Sequence, residues 1–138
     1  MVDSQRIAAR FELLDKFLSV LRKLSRKPID TYLHDSVLIG SSRYYLQVAI
    51  ECCLDVAAHV IAAQQFRAPR DYADTFQVLE EENIITPELG LRLKQMAKFR
   101  NRLVHLYGEI DDRVVHRIMQ EDLGDLEQFK AIVINRFA

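Results

Sequence analysis

Within eight consecutive positions the chain carries Arg100, Asn101, His105 and Tyr107, spaced R-N-x-x-x-H-x-Y. Histidine, with an ordinary pKa near 6.5, is the side chain able to take or give a proton at neutral pH. Arginine stays charged at any working pH, and its planar fork can hold a phosphate through two parallel hydrogen bonds. The set therefore offers a cation for an anionic substrate and, five positions on, a group for proton transfer. The surrounding charge points the same way. No acidic residue lies between Glu88 and Glu109, while Arg92, Lys94, Lys98, Arg100 and Arg102 give that stretch five positive charges; with a formal net charge of −1, the rest of the chain carries −6. The stretch is either an ordinary solvated face or a phosphate-facing groove, with Lys94, Lys98 and Arg102 as candidate phosphate contacts.

A competing reading comes from helical geometry. Leu89, Leu93, Met96 and Leu103 form one apolar stripe, and at about 100° per residue Arg100 and Tyr107 fall on it. An arginine then stands where a core residue should. Upstream, Arg43, Gln47, Glu51, Asp55 and His59 recur every four residues along an otherwise apolar stretch, making one polar seam. The seam either faces water or meets a polar partner inside the protein, and pairing Arg100 with Glu51 or Asp55 would satisfy both sides. His105 falls about 140° from Arg100 on a straight helix. Bringing the two to one substrate requires the reach of the arginine, a distortion near Gly108, or a second subunit. Tyr107 reads either as a core aromatic or as a reachable phenol at the helix end.

The elements that must position these residues are helices. Only four Gly and three Pro punctuate 138 residues, and 49% of the chain is hydrophobic, enough for one domain over residues 1–138 to bury a core without staples. Ile7, Phe11, Leu14, Phe17, Leu18, Leu21 and Leu24 mark a first helix with Asp3 as its cap and Pro28 as its stop. Asp30 is placed to cap a long second stretch reaching about Phe66, with a bend at Gly40. A short helix over Tyr72 to Glu82 buries Phe76 and Leu79; Thr86 and Pro87 open another, ending near Leu106 and Gly108. Asp111 or Asp112 starts the last stretch, interrupted at Gly124. The expected architecture is an all-α bundle of four to five main helices.

The composition narrows the function classes. The near-neutral total lacks the broad positive field of a general nucleic-acid binder. Cys52 and Cys53 are adjacent, without zinc-ligand spacing, and read as reduced core residues; no metal and no cofactor is expected. No uncharged stretch approaches the roughly 18 residues of a membrane span, so neither signal nor anchor is expected and the location is cytoplasmic.

The stretch RNRLVHLY (Arg100 to Tyr107), together with RYYLQVAIECCLDVAAHVIA (Arg43 to Ala62) and PRDYADTFQVLEEENII (Pro69 to Ile85), resembles the HepT-like branch of the HEPN superfamily over nearly the whole chain. That resemblance implies a HEPN-type helical bundle acting as a homodimer, whose two R-x-x-x-x-H motifs meet at a shared cleft. It implies a metal-independent endoribonuclease, the toxin of a toxin–antitoxin pair with an RNA substrate. Arg100 and His105 would be catalytic, with Asn101 in support. The partner would be a cognate minimal nucleotidyltransferase antitoxin that silences the toxin by adding AMP to Tyr107. Glu51 and Asp55 match the acidic positions of the second-helix motif. The competing function is a non-catalytic HEPN partner that binds a nucleotidyltransferase or a nucleotide without cutting anything.

Overall fold

Five of the seven helices among the described residues open on a side-chain cap, from Asp3, Asp35, Asp71, Thr86 and Asp111. In the computed structural model, which describes residues 1–137, Asp3 accepts from the amides of Gln5 and Arg6 and opens α1 (Ser4–Ser25). Its inward positions are Ile7, Phe11, Leu14, Leu18 and Leu21, the alternating steps of four and three that keep one face on a core. A short α2 (Ile29–Leu33) follows, then α3 (Ser36–Ala63), α4 (Tyr72–Glu81), α5 (Pro87–His105), a 3-10 turn (Tyr107–Glu109), α6 (Asp112–Glu121) and α7 (Leu123–Phe137). No strand occurs among the described residues. The all-helical expectation holds, with four long helices and three short ones.

Three boundary expectations are corrected. Asp30 caps nothing: α2 begins after Pro28 without a side-chain cap, and the chain breaks at His34 before Asp35 accepts from the amides of Val37 and Leu38 to start α3. Gly40 lies inside a continuous α3, which ends at Ala63, where Gln65 takes a left-handed φ of 57° and the Phe66 amide returns to the Ile61 carbonyl. Gly124 is likewise helical; the interruption falls at Asp122, between α6 and α7.

α3 is the hub. By length and composition it is the one helix among the described residues apolar enough to cross a membrane, yet it packs against all six other helices. Leu46, Ala49, Ile50, Cys53, Ala57 and Val60 are fully sealed from solvent. α1 runs antiparallel to it, since the Asp3 amide donates to His59 Nε2 at one end and the Phe17 and Tyr45 rings meet at the other, 5.9 Å apart. Both cysteines are free and buried, and burial first, then the Asp55 charge, pushes the Cys52 thiol up to about 11. Where α4 packs on α5, the Glu80 carboxylate occupies the space a side chain at Gly90 would fill.

Candidate active site

The polar seam of α3 meets partners from four other elements. Arg43 donates from Nε and Nη2 to Asp112 at 2.8 and 2.9 Å, and from Nη1 to the Tyr107 carbonyl at 2.7 Å. Gln47 donates to Glu51. Asp55 forms a loose pair with Arg10 at 3.7 Å, both side chains about half exposed. The seam is thus neither a bare solvent strip nor a dry interior row.

Arg100 meets Glu51, as its position on the apolar stripe of α5 requires. Nε and Nη2 both donate to Glu51 Oε2, at 2.8 and 2.6 Å, and Nη1 donates to Asn101 Oδ1 at 3.1 Å. A guanidinium has five N–H donors. One on each terminal nitrogen therefore has no protein acceptor, and the side chain keeps 14% of its surface exposed. Structural pairing and phosphate binding are compatible here: Glu51 fixes the fork from behind and leaves its outer end open. The same guanidinium lies over the Tyr72 ring, 4.8 Å from its centroid.

His105 is the last residue of α5, exposed, on the face that Lys98, Asn101 and Arg102 share. It lines a solvent-open cavity of about 510 Å³ together with Asn101, Leu54, Asp55, Asp71 and Tyr72. The helix is regular up to His105 and departs only at Leu106, so no distortion swings His105 toward Arg100. Tyr72 is what the two have in common: its ring carries the guanidinium and lines the cavity that His105 also lines. Because Arg100 occupies Asn101 Oδ1, the Asn101 amide nitrogen is left to donate elsewhere.

Tyr107 does not continue the α5 stripe. Helix α5 has ended, and Tyr107 opens the 3-10 turn with 69% of its surface exposed, which removes the core-aromatic reading. The basic stretch also divides. Arg92 is tied to Asp125, Lys94 to Glu80 and Gln77, and Arg100 to Glu51, whereas Lys98 and Arg102 are exposed and form no ion pair among the described residues. No group of three or more His, Cys, Asp or Glu side chains is arranged to hold a metal ion among the described residues. Sequence reasoning missed Tyr72 and the Arg43–Asp112 pair. An exposed aromatic at the first position of α4 was the sole available signal for Tyr72.

Comparison with known proteins places the chain and its fold. The family described as Ribonuclease HepT-like matches residues 13–133. The mRNA nuclease HepT of Shewanella oneidensis is 36% identical over 104 residues, 75% of this chain and 74% of that protein. The tRNA nuclease HepT of Aphanizomenon flos-aquae is 29% identical over 111 residues, 79% and 74% of the two chains. Among solved structures, a toxin–antitoxin crystal structure with AMP-PNP matches with a TM-score of 0.90 at 27% identity, over 96% of this chain and 99% of that one. A tri-AMPylated HEPN toxin of Shewanella oneidensis in complex with its MNT antitoxin matches with a TM-score of 0.88 at 28% identity, over 95% and 98%. The chain, with its HEPN fold, belongs to the HepT-like ribonuclease family.

Proposed function

We propose that this protein is a toxin that cuts RNA without a metal ion, through Arg100 and His105, and is silenced when a minimal nucleotidyltransferase antitoxin adds AMP to Tyr107. The observation that carries the reading is an exposed His105 lining an open cavity whose Tyr72 ring, on the same cavity, is overlaid by an Arg100 fork that Glu51 holds from behind. In the reaction the 2'-hydroxyl loses its proton to an imidazole, its oxygen bonds to phosphorus, and the bond from phosphorus to the 5'-oxygen breaks as that oxygen gains a proton. The free outer N–H groups of Arg100 bind the phosphate and offset the charge that grows on it. Asn101 holds Arg100 and offers its amide nitrogen to the same substrate. One imidazole cannot be base and acid at once, and a homodimer supplies two. Lys98 and Arg102, free of ion pairs, guide the RNA backbone; Lys94 is engaged with α4.

Silencing follows from the position of Tyr107. Its exposed phenol, two residues beyond His105, accepts AMP at the edge of the site, where the added anion competes for the cations that RNA needs. The test is to treat the purified protein with such a nucleotidyltransferase and ATP, then to measure intact mass and RNA cleavage. The expected result is a gain of one or more AMP units with loss of cleavage, and neither change in Tyr107→Phe. A protein that stays active after gaining mass at Tyr107 contradicts the silencing mechanism. One that never cuts RNA contradicts the whole reading.

A further inference from the structure

The cavity beside His105 is larger than proton transfer needs. Its floor is apolar, from Leu54, Ala58 and Pro69, and its wall is the half-exposed ring of Tyr72. Two carboxylates open into it, each with unused accepting capacity. Asp71 spends Oδ1 on the α4 cap, accepting from the Asp74 amide at 2.7 Å, and no protein donor meets Oδ2 among the described residues. Asp55 has only its 3.7 Å pair with Arg10. The Asn101 amide nitrogen adds a donor, and Arg70 stands at the rim as the one cation of the lining. A flat aromatic wall, an apolar floor and carboxylate acceptors suit a planar ring edged with N–H donors.

We propose that this cavity is a nucleobase subsite that selects a base with an exocyclic amine, using Tyr72 for stacking and Asp71 and Asp55 as acceptors. The inference rests on the ribonuclease reading for its ligand, since the nucleotide whose phosphate reaches His105 must place its base within one nucleotide of that side chain. Arg100 on the Tyr72 ring keeps the aromatic wall upright and couples base placement to phosphate placement. Adenine, guanine and cytosine each present an amine to the carboxylates. Uracil has a carbonyl oxygen where cytosine has its amine, which a carboxylate there repels, and keeps only N3–H as a donor on that edge. Base choice is thereby assigned to the loop before α4 and to the polar seam of α3, while cleavage stays with α5.

Cytosine and uracil provide the test because they share shape and differ at that edge. Short oligonucleotides carrying 2'-fluoro groups lack the attacking hydroxyl, so their affinity is read by fluorescence anisotropy whether or not the protein cuts RNA. Oligo-C is expected to bind about tenfold more tightly than oligo-U. Asp71→Asn, which keeps a capping side chain on α4, should reduce that ratio to about twofold with an unchanged melting temperature. Tyr72→Leu should weaken both ligands alike. Equal affinity for the two oligonucleotides in the unmutated protein, or a ratio untouched by both Asp71→Asn and Asp55→Asn, overturns the subsite. So does Tyr72→Leu binding as tightly as the parent. Cleavage of the matching 2'-hydroxyl sequences, followed in parallel, separates the two ideas: a retained C-over-U preference without any cleavage supports the subsite and sinks the nuclease reading.

Discussion

Glu51 sets the geometry of the proposed chemistry although it touches no substrate. A guanidinium on the inward stripe of α5 would be an uncompensated charge, and Glu51 Oε2, accepting twice, compensates it and fixes its plane. Glu51→Gln keeps the shape and removes the charge. We expect it to lower unfolding free energy by about 1–2 kcal/mol in urea titration, the cost of weakening a half-buried charged hydrogen bond, and to slow RNA cleavage because Arg100 gains other rotamers. Unchanged stability together with unchanged cleavage would show that Glu51 does not hold the fork. At this scale the sequence was informative where periodicity exposed a conflict: an arginine on a core stripe and carboxylates along a seam demand each other. Tyr72 escaped because a tyrosine at a helix start violates no rule, and its meaning comes from Arg100 and the cavity, which three separate segments build.

The turn after α5 is held by an element 64 residues away in sequence. Arg43 of α3 grips the Tyr107 carbonyl and, through Asp112, the start of α6. Arg43→Ala should free the Tyr107–Glu109 turn: hydrogen exchange of the Glu109 amide, which donates to the Leu106 carbonyl at 2.8 Å, is expected to accelerate at least tenfold, about 1.4 kcal/mol of lost protection. Unaltered exchange there would place the restraint elsewhere. The loop between α3 and α4 is tied differently. Arg67 donates to both Asp74 and Glu81, which holds both carboxyls below their ordinary range, Glu81 at about 2 against an ordinary 4.5. A depressed carboxyl stabilises the fold above its unfolded pKa and loses that contribution as pH falls through the folded value. Arg67→Ala should therefore melt lower than the parent at pH 7, with the gap closing as pH drops from about 4.5 toward about 2; a gap that persists at the acid end would assign the effect to packing. Helix existence and type were readable from caps and periodicity, as at Asp3 and Thr86. The exact stops were not: Asp30 lies inside α2 without capping it, the chain breaks at His34, and Asp35 caps α3, next to a buried Tyr32 hydrogen-bonded to Ser42 at 2.6 Å.

Across the molecule, one apolar helix organises everything else. Each of the other helices packs on α3, so its polar seam is the place where residues distant in sequence can meet, and Arg10, Arg100 and Asp112 come to it from three different helices. Charge is sorted by the same packing. The five positive charges from Arg92 to Arg102 are one basic block in the sequence, but the fold neutralises Arg92, Lys94 and Arg100 with carboxylates from α7, α4 and α3 and leaves Lys98 and Arg102 free beside His105. Which charges would be consumed was not readable, because each partner lies on a helix whose approach depends on the core. The central claim, that Arg100 and His105 together cut RNA, has a direct measurement: initial cleavage rates of end-labelled RNA in EDTA for the parent, Arg100→Ala, His105→Ala and Lys94→Ala, each checked for an intact fold. The account predicts cleavage by the parent that EDTA leaves intact, a loss of about 100-fold or more in each of the first two variants, and a rate close to the parent in the third. Equal rates in the parent, Arg100→Ala and His105→Ala, or cleavage abolished by EDTA, would contradict it.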